Sequence, residues 1–432
     1  MKYDIKIVYE SNKNNFIIIK KLIKNIIKIL KHLLLFIIFF VTFSKGFAKD
    51  YNISSLLEIA EKNSANIKVA DYQALSQKHL ANQQKYWQNP VVTIDRSSNS
   101  QSEYGVSQVI PFFGKLKNKY NTEEFQFRAF EMNRNNVALL VKAEVFSLIY
   151  QYKALEKKIE LTKKRLARLS LVDKYLNSIV LNSPTKYAQG RITKDKINLI
   201  ERDLIIYENQ ALQTWNRANT YLNLGEKPSN INLEWLDKIT YKGKEFFIEE
   251  ALANNLILKE QTFLIEKYKS EAVFAKIEQM PDVNLSVSKQ HNSSVLGSNN
   301  ANFGASISIP LINRNQEKII AADSKIKAGQ YELEFKQNQI INGIANDANE
   351  YEISLKIAKN FPISAIDKNI NFLNNANDNF KKGVLDFITY IELDAQEYNS
   401  INAAIDAQAQ LGSSYSNLMI AVGNFILPKN EN

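Results

Sequence analysis

Apolar residues recur with two different periods along this chain, and the two periods predict two kinds of element. Between residues 283 and 309 every second side chain in two stretches is apolar, Leu285 and Val287 among them, and small polar residues stand between. A Ser/Asn/Gly-rich loop separates the two stretches. This alternation predicts a β-hairpin with one apolar and one small polar face. Residues 91–111 repeat the pattern less regularly and predict a second hairpin.

The longer stretches follow a spacing of three and four residues instead. No proline occurs in 115–182, and the apolar residues of 145–169 keep the heptad period, which predicts one long helix. Smaller residues keep the same period in 197–221, so these two helices are expected to pack as a coiled-coil hairpin. A second helical hairpin ends at 388–412, and a break is expected within it at Phe361-Pro362 because proline interrupts a helix.

The same order of elements occurs twice, which indicates a tandem duplication. In each copy a helix ends at a proline (Asn89-Pro90 and Met280-Pro281), a hairpin follows, and two long helices come after it. Tight turns between the long helices are expected at Gly190 and Gly383, because glycine ends a helix readily in the left-handed conformation. The predicted division is a signal peptide at 1–48, a first repeat at 49–225, a linker at 226–245, a second repeat at 246–427 and a tail at 428–432.

The composition supports long elements. The 432 residues include only 13 glycines and 8 prolines, so few turns interrupt the chain. The fold class expected is therefore mainly α with a small β part: tandem-duplicated coiled-coil helical hairpins plus four strands. Four strands of about nine residues are too few to form a closed sheet, yet their length suits a tilted strand that crosses a membrane.

The first 48 residues have the composition of an export signal. Nine lysines and two acidic residues surround an apolar run at 33–43, and small residues follow at Gly46 and Ala48. A cut after Ala48 is expected, and an uncleaved membrane anchor is the alternative. The formal net charge of +10 falls to +3 once this segment, with a net +7, is removed. Nucleic acid is therefore not an expected partner.

Catalytic and cofactor motifs are absent from the sequence. The chain has no cysteine, and its three histidines are far apart, so neither a thiolate site nor a histidine metal cluster is expected. Gly114-Lys115 is not a phosphate loop, because Leu116 stands where the hydroxyl residue belongs. No enzyme activity and no cofactor are expected.

Five segments together resemble the TolC-type outer-membrane efflux protein family across the whole chain after the signal. They are SLLEIAEKNSANIKVA (55–70), WQNPVVTI (87–94), SQVIPFFGK (107–115), SISIPLINR (306–314) and KKGVLDFITYIELDAQEYNSI (381–401). The segments occur in this order behind a signal peptide. SISIPLINR in the second copy repeats the pattern of SQVIPFFGK in the first. The resemblance implies a homotrimer in the outer membrane of a Gram-negative-type cell.

In such a trimer, each chain contributes four strands to a shared transmembrane β-barrel and its helical hairpins to an α-barrel that crosses the periplasm. The implied function is a passive conduit in a tripartite efflux or secretion system. The implied partners are a periplasmic adaptor (membrane fusion) protein, an inner-membrane pump of RND or ABC type, and outer-membrane lipid. The sequence does not indicate the transported substrate.

The resemblance also implies roles for individual residues. Small polar strand positions are expected to line the lumen (Ser286, Ser288, Ser306 and Ser308), and apolar positions are expected to face lipid (Leu285, Phe303 and Ile307). The adaptor-docking tips are expected to include Gly190, Arg191, Thr193, Gly383 and Asp386. Glu392 is the first candidate for an acidic gate at the periplasmic entrance, with Asp386 and Asp394 behind it.

Two interpretations without a pore compete with the channel. An exported coiled-coil rod explains the heptads but not the duplicated alternating hairpins. A periplasmic adaptor also has a signal and a helical hairpin, but adaptors have one hairpin between glycine-rich β domains, whereas this chain has two and little glycine.

Overall fold

The computed structural model describes residues 50–428 except 97–100, 113, 179–182, 229, 237–238 and 293–298. The predicted signal peptide therefore lies outside the described residues. The chain divides into two compact units, of which the larger comprises Asn52–Gly225 and Leu233–Asn432. The smaller unit includes the described residues 50–51, 226–228 and 230–232, where the Tyr51 backbone N–H donates to the Asn230 carbonyl at 3.4 Å.

Helices dominate the described residues, which confirms the mainly α fold with a small β part. In chain order the elements are β1 (Tyr51–Asn52), α1 (Ile53–Asn63), α2 (Ala65–Gln83), β2 (Val91–Arg96), β3 (Gln101–Ile110), α3 (Lys115–Ser178), α4 (Pro184–Leu222), β4 (Ile231–Asn232), α5 (Lys244–Asn254), α6 (Leu256–Ile277), β5 (Val283–Asn292), β6 (Asn299–Ile307), α7 (Gln316–Asn360), α8 (Ala365–Lys381) and α9 (Phe387–Val422). None of the described helices is both long enough and apolar enough to cross a membrane.

The helix that precedes each hairpin is broken at one residue, where the sequence predicted a continuous helix. Ser64 (φ −57°, ψ 124°) separates α1 from α2, and Asn255 (φ −59°, ψ 126°) separates α5 from α6. Both backbone N–H groups still donate four residues back, at 2.9 Å to Ala60 and 2.8 Å to Ala251. The two kinks have the same geometry, which supports the duplication.

The two predicted hairpins form one antiparallel sheet with the strand order β2-β3-β5-β6. The first hairpin joins the second through β3 and β5, which pair from Gln101 with Asn292 to Ile110 with Val283. The sheet leaves β2 and β6 as its edges. Pro111 and Pro310 both lie between a strand and the long helix that follows, as the sequence predicts.

The long helix α3 lies at the centre of the helical packing. It contacts α1, α2, α4, α6 and α9. Its apolar face is almost fully buried from Leu139 to Leu176. The break predicted at Phe361-Pro362 is confirmed, because α7 ends at Asn360 and α8 begins at Ala365.

A buried lysine joins the two strand–helix junctions. Lys115, at the start of α3, donates from its Nζ to the Met280 carbonyl at 2.7 Å and to Asp282 Oδ1 at 2.8 Å. The same Asp282 carboxylate accepts from the Phe112 backbone N–H at 2.8 Å. The entry to the second hairpin is thereby held against the exit from the first.

Candidate functional site

The sheet has two faces of opposite character. Residues directly opposite in an antiparallel pair lie on the same face. The register therefore groups one set of apolar side chains on one face (Ile94, Tyr104, Val106, Leu285, Val287 and Phe303). The other face bears small polar residues in the centre of the sheet (Thr93, Gly105, Ser107, Ser286, Ser288 and Gly304). Ser306 lies on the polar face opposite Asn284, whereas Ser308 follows the last residue of β6.

The apolar face is exposed in the single chain. Phe303 is 82% exposed and Ile307 56%, and Leu285 is 45% exposed. A soluble protein seldom exposes a contiguous apolar surface of this kind, because covering it with water is unfavourable. This face therefore requires an apolar neighbour such as lipid.

The turn after α8 has the geometry that the sequence predicts for a helical tip. Gly383 adopts a left-handed conformation (φ 72°), and its N–H donates to the Phe380 carbonyl at 3.0 Å. Asp386 is the N-cap of α9: its carboxylate accepts from the Thr389 backbone N–H at 3.0 Å. Hydrogen bonds from the Thr389 hydroxyl and backbone lower the pKa of Asp386. This carboxylate is thus committed to helix capping.

The prediction for the first tip is wrong in one respect. Gly190 lies inside α4, which begins at Pro184, so the expected turn at Gly190 does not exist. Helix α3 ends at Ser178 and α4 begins at Pro184, and residues 179–182 between them lie outside the described residues. A proline at the first helical position starts α4 readily because its missing N–H is not needed there. The helix therefore begins before Gly190 instead of after it.

Two other tip residues differ in their accessibility. Arg191 has a 69% exposed side chain that pairs with Asp195 at 3.2 Å. Thr193, in contrast, is fully buried, and its hydroxyl donates to the Gln189 carbonyl at 2.9 Å. The expectation that Thr193 contacts a partner is therefore contradicted, since its side chain faces the protein interior.

Glu392 and Asp394 occupy different environments on α9. Glu392 is exposed and has no ion pair among the described residues. Asp394 is fully buried between α3 and α9. It accepts from Arg165 Nε at 2.8 Å and from an Arg168 terminal nitrogen at 2.6 Å. Asp394 is therefore not an open gate carboxylate in this chain but one member of a buried ion-pair triad.

Aromatic rings enclose this triad. The guanidinium carbon of Arg165 lies 4.4 Å from the centre of the Tyr398 ring, and the Tyr398 hydroxyl donates to the Leu161 carbonyl at 2.9 Å. Tyr390 stacks on Phe380 with 5.0 Å between ring centres. Burial first, and then the nearby charge of Asp394, raises the pKa of Tyr390 to about 12. The joint between α3 and α9 is thus largely buried and charged, a costly combination unless every charge is paired.

The sequence contained a signal for this triad that the prediction missed. The buried stripe of α9 includes Ile391, Asp394, Tyr398, Ile401 and Ile405, at alternating spacings of three and four. Asp394 was expected to be a gate candidate, so its place in this buried stripe was not predicted. A carboxylate within an apolar stripe predicts a buried basic partner, because an unpaired buried charge is very costly.

Comparisons with known proteins point to one fold. A membrane protein from Pseudomonas aeruginosa superposes with a TM-score of 0.70 at 15% identity, over 86% of this chain and 90% of that one. The open state of the MtrE outer membrane channel from Neisseria gonorrhoeae gives 0.68 at 15% identity, over 86% and 89%. The outer membrane protein VceC from Vibrio cholerae gives 0.65 at 14% identity, over 86% and 96%.

The chain has the fold that these three proteins share. The fold implied by the resemblance in the sequence is therefore confirmed. The sequence matches no protein-family profile and no curated protein sequence. Among the described residues, no group of three or more His, Cys, Asp or Glu side chains is placed to hold a metal ion.

Proposed function

We propose that three copies of this chain form an outer-membrane channel that passively conducts substrate out of the cell. The observation that supports this most directly is the sheet with one exposed apolar face and one small polar face. In a membrane the apolar face contacts lipid and the polar face lines a water-filled lumen. Ser286, Ser288 and Ser306 then lie in the lumen, and Ser308 lies at its junction with the helices.

The two edges of the sheet explain why several copies are needed. Unpaired backbone groups in the hydrocarbon region cost several kcal/mol each, so strands cross a bilayer only in closed sheets. The edge strands β2 and β6 of one copy therefore pair with edge strands of neighbouring copies. Three copies supply the closed sheet that one chain cannot form.

The helical hairpins extend from the sheet into the periplasm in this arrangement. The proposed partners at their far end are a periplasmic adaptor and, through it, an inner-membrane pump of RND or ABC type. Gly383 and Asp386 form the second docking tip, and the exposed Arg191 beside Gly190 belongs to the first. Glu392, exposed on α9 six residues beyond Asp386, is the proposed gate residue, because threefold symmetry brings three such carboxylates together.

The interpretations without a pore leave the sheet unexplained. In a periplasmic coiled-coil rod or adaptor, no lipid would cover the exposed apolar face of the sheet. Such a face would instead promote aggregation. The channel is therefore the function that the geometry supports best.

A pair of substitutions tests this proposal. Phe303→Lys places a charge against mid-bilayer lipid at a cost of about 2–4 kcal/mol per chain. It should prevent the appearance of an SDS-sensitive trimer in the outer-membrane fraction. Ser306→Lys lies on the opposite face of the same strand, so it should assemble normally and change single-channel conductance in a planar bilayer.

The reverse result would show that the faces are assigned incorrectly. A chain that remains in the soluble periplasmic fraction and forms no conducting trimer would favour the rod or adaptor instead.

A further inference from the structure

At the end of the sheet that is next to the hairpin loops and remote from the helices, acidic and basic residues lie on opposite faces. Here Asp95 pairs directly with Glu103, and both lie on the polar face. Arg96 pairs with Ser102, which pairs with His291, so these lie on the apolar face together with Lys289. At this end both charged side chains on the described apolar face, Arg96 and Lys289, are basic.

The basic residues stand at the rim of an apolar band. From the row of Ile110 and Val283 to the row of Tyr104 and Lys289, the β3–β5 pair advances six residues, or about 20 Å along the strands. Only Gln108 interrupts the apolar side chains of β3 and β5 on that face before Tyr104. A tyrosine at the boundary followed by basic residues matches the order in which a membrane passes from hydrocarbon to headgroups.

We propose that Arg96 and Lys289 bind the phosphate groups of anionic lipids at the outer rim of the apolar band. The inference rests on the proposed channel function, because it needs the apolar face in lipid. Both side chains are exposed, and neither forms an ion pair with a described residue. The Arg96 guanidinium matches the geometry of a phosphate in two hydrogen bonds, and Lys289 adds a compact positive charge.

Charge complementarity favours a lipid headgroup over a soluble anion. The two residues continue the lipid-facing surface, where headgroups are concentrated, while the acids Asp95 and Glu103 on the other face repel anions in the lumen. Each basic residue near a negatively charged membrane surface raises binding about fivefold. In a trimer the rim has six such residues from these two positions.

The test uses the full-length protein purified as a trimer and placed in nanodiscs of equimolar phosphatidylcholine and phosphatidylglycerol. Native mass spectrometry of the released trimer counts the lipids of each kind that remain bound. The wild type should retain phosphatidylglycerol in several-fold excess, and high salt should reduce that excess. Arg96→Gln combined with Lys289→Gln should retain the two lipids equally.

A charge-matched control separates the rim from net charge. Lys327→Gln combined with Lys368→Gln removes two exposed lysines from α7 and α8 and should retain the excess of phosphatidylglycerol. Arg96→Lys with Lys289→Arg keeps both charges and should also retain it. If these variants retain the excess, its loss in Arg96→Gln with Lys289→Gln results from the missing charges at the rim and not from misfolding.

Conductance in a phosphatidylcholine bilayer separates this inference from the channel itself. A wild-type trimer that conducts but retains both lipids equally would overturn the lipid site and leave the channel intact. Equal retention by the wild type and the rim variant would do the same. A chain that neither trimerises nor conducts would overturn both proposals.

Discussion

The two copies of the duplicated unit have diverged in the helices that follow their hairpins. In the first copy, α3 runs without a break from Lys115 to Ser178 and packs against five other helices. In the second copy, the corresponding segment is split into α7 and α8 around Phe361-Pro362, and most of the first half of α7 is exposed. The first copy therefore supplies the central scaffold of the chain.

The second copy differs from the first in three described features. It has the helix break, the left-handed Gly383 and the exposed Glu392. Both copies retain the helix kink, which lies at Ser64 in the first copy and at Asn255 in the second. The two copies thus share the backbone path at the kinks, while the first supplies the central scaffold and the second contains the exposed Glu392.

The largest expected effect comes from breaking the joint between the copies. Asp394→Ala removes the carboxylate of α9 that lies between Arg165 and Arg168 of α3, leaving two arginines unpaired in a buried site. The free energy of unfolding should fall by about 3–5 kcal/mol. Denaturant unfolding of the detergent-solubilised trimer measures this loss.

The matched control is Asp203→Ala, which removes a surface acid paired with Arg202 on α4. Its effect should stay within about 1 kcal/mol, since exposed ion pairs contribute little. Replacing all three triad residues with leucine or methionine should recover most of the lost stability. A near-neutral Asp394→Ala would show that the joint does not hold the copies together.

The two kinks should respond differently to alanine. The Asn255 side chain accepts from the Ile257 N–H at 2.9 Å and donates to the Ala421 carbonyl at 2.8 Å. Ser64 forms no capping hydrogen bond through its side chain. Asn255→Ala should therefore cost about 2 kcal/mol of unfolding free energy, and Ser64→Ala should cost much less. Equal losses would mean that backbone geometry alone stabilises both kinks.

The two tip glycines should give effects of opposite sign. Gly383 has φ 72°, so Gly383→Ala should destabilise by about 1–2 kcal/mol. Gly190 lies within α4, and a Cβ added there would meet nothing within 4 Å, so Gly190→Ala should stabilise by about 0.5–1 kcal/mol. Thermal unfolding of the two variants measures both effects. If Gly190→Ala lowered the stability instead, that result would support the turn that the sequence predicted at Gly190.

Periodicity was sufficient to predict the elements whose environment is set locally. Alternation in 283–309 identified both sheet faces, and Phe361-Pro362 marked the break, because side-chain period and proline act within a few residues. The kinks at Ser64 and Asn255 were not predicted, since neither residue is a glycine or proline. Each kink depends on contacts with other elements, such as the bond from Asn255 to Ala421.

The partners of buried charges also lie beyond local patterns. Arg165 and Asp394 are 229 positions apart, so only the packed structure brings them together. Many different Arg–Asp pairings between the long helices are compatible with the sequence alone, and periodicity does not distinguish among them. For the same reason the register that joins β3 to β5 required the structure.

Glu392 gives the smallest expected effect on stability and the sharpest test of the division between the copies. Glu392→Gln should leave unfolding unchanged because the carboxylate is exposed and has no ion pair among the described residues. The matching position after Gly190 in the first copy is Leu199, which is 51% exposed and uncharged. If the gate belongs to the second copy alone, Glu392→Gln should lower cation preference and relieve block by divalent cations in single-channel recordings. Asp367→Asn removes an exposed charge from α8 and should change neither property. Unchanged selectivity and block in Glu392→Gln would remove this residue from the gate.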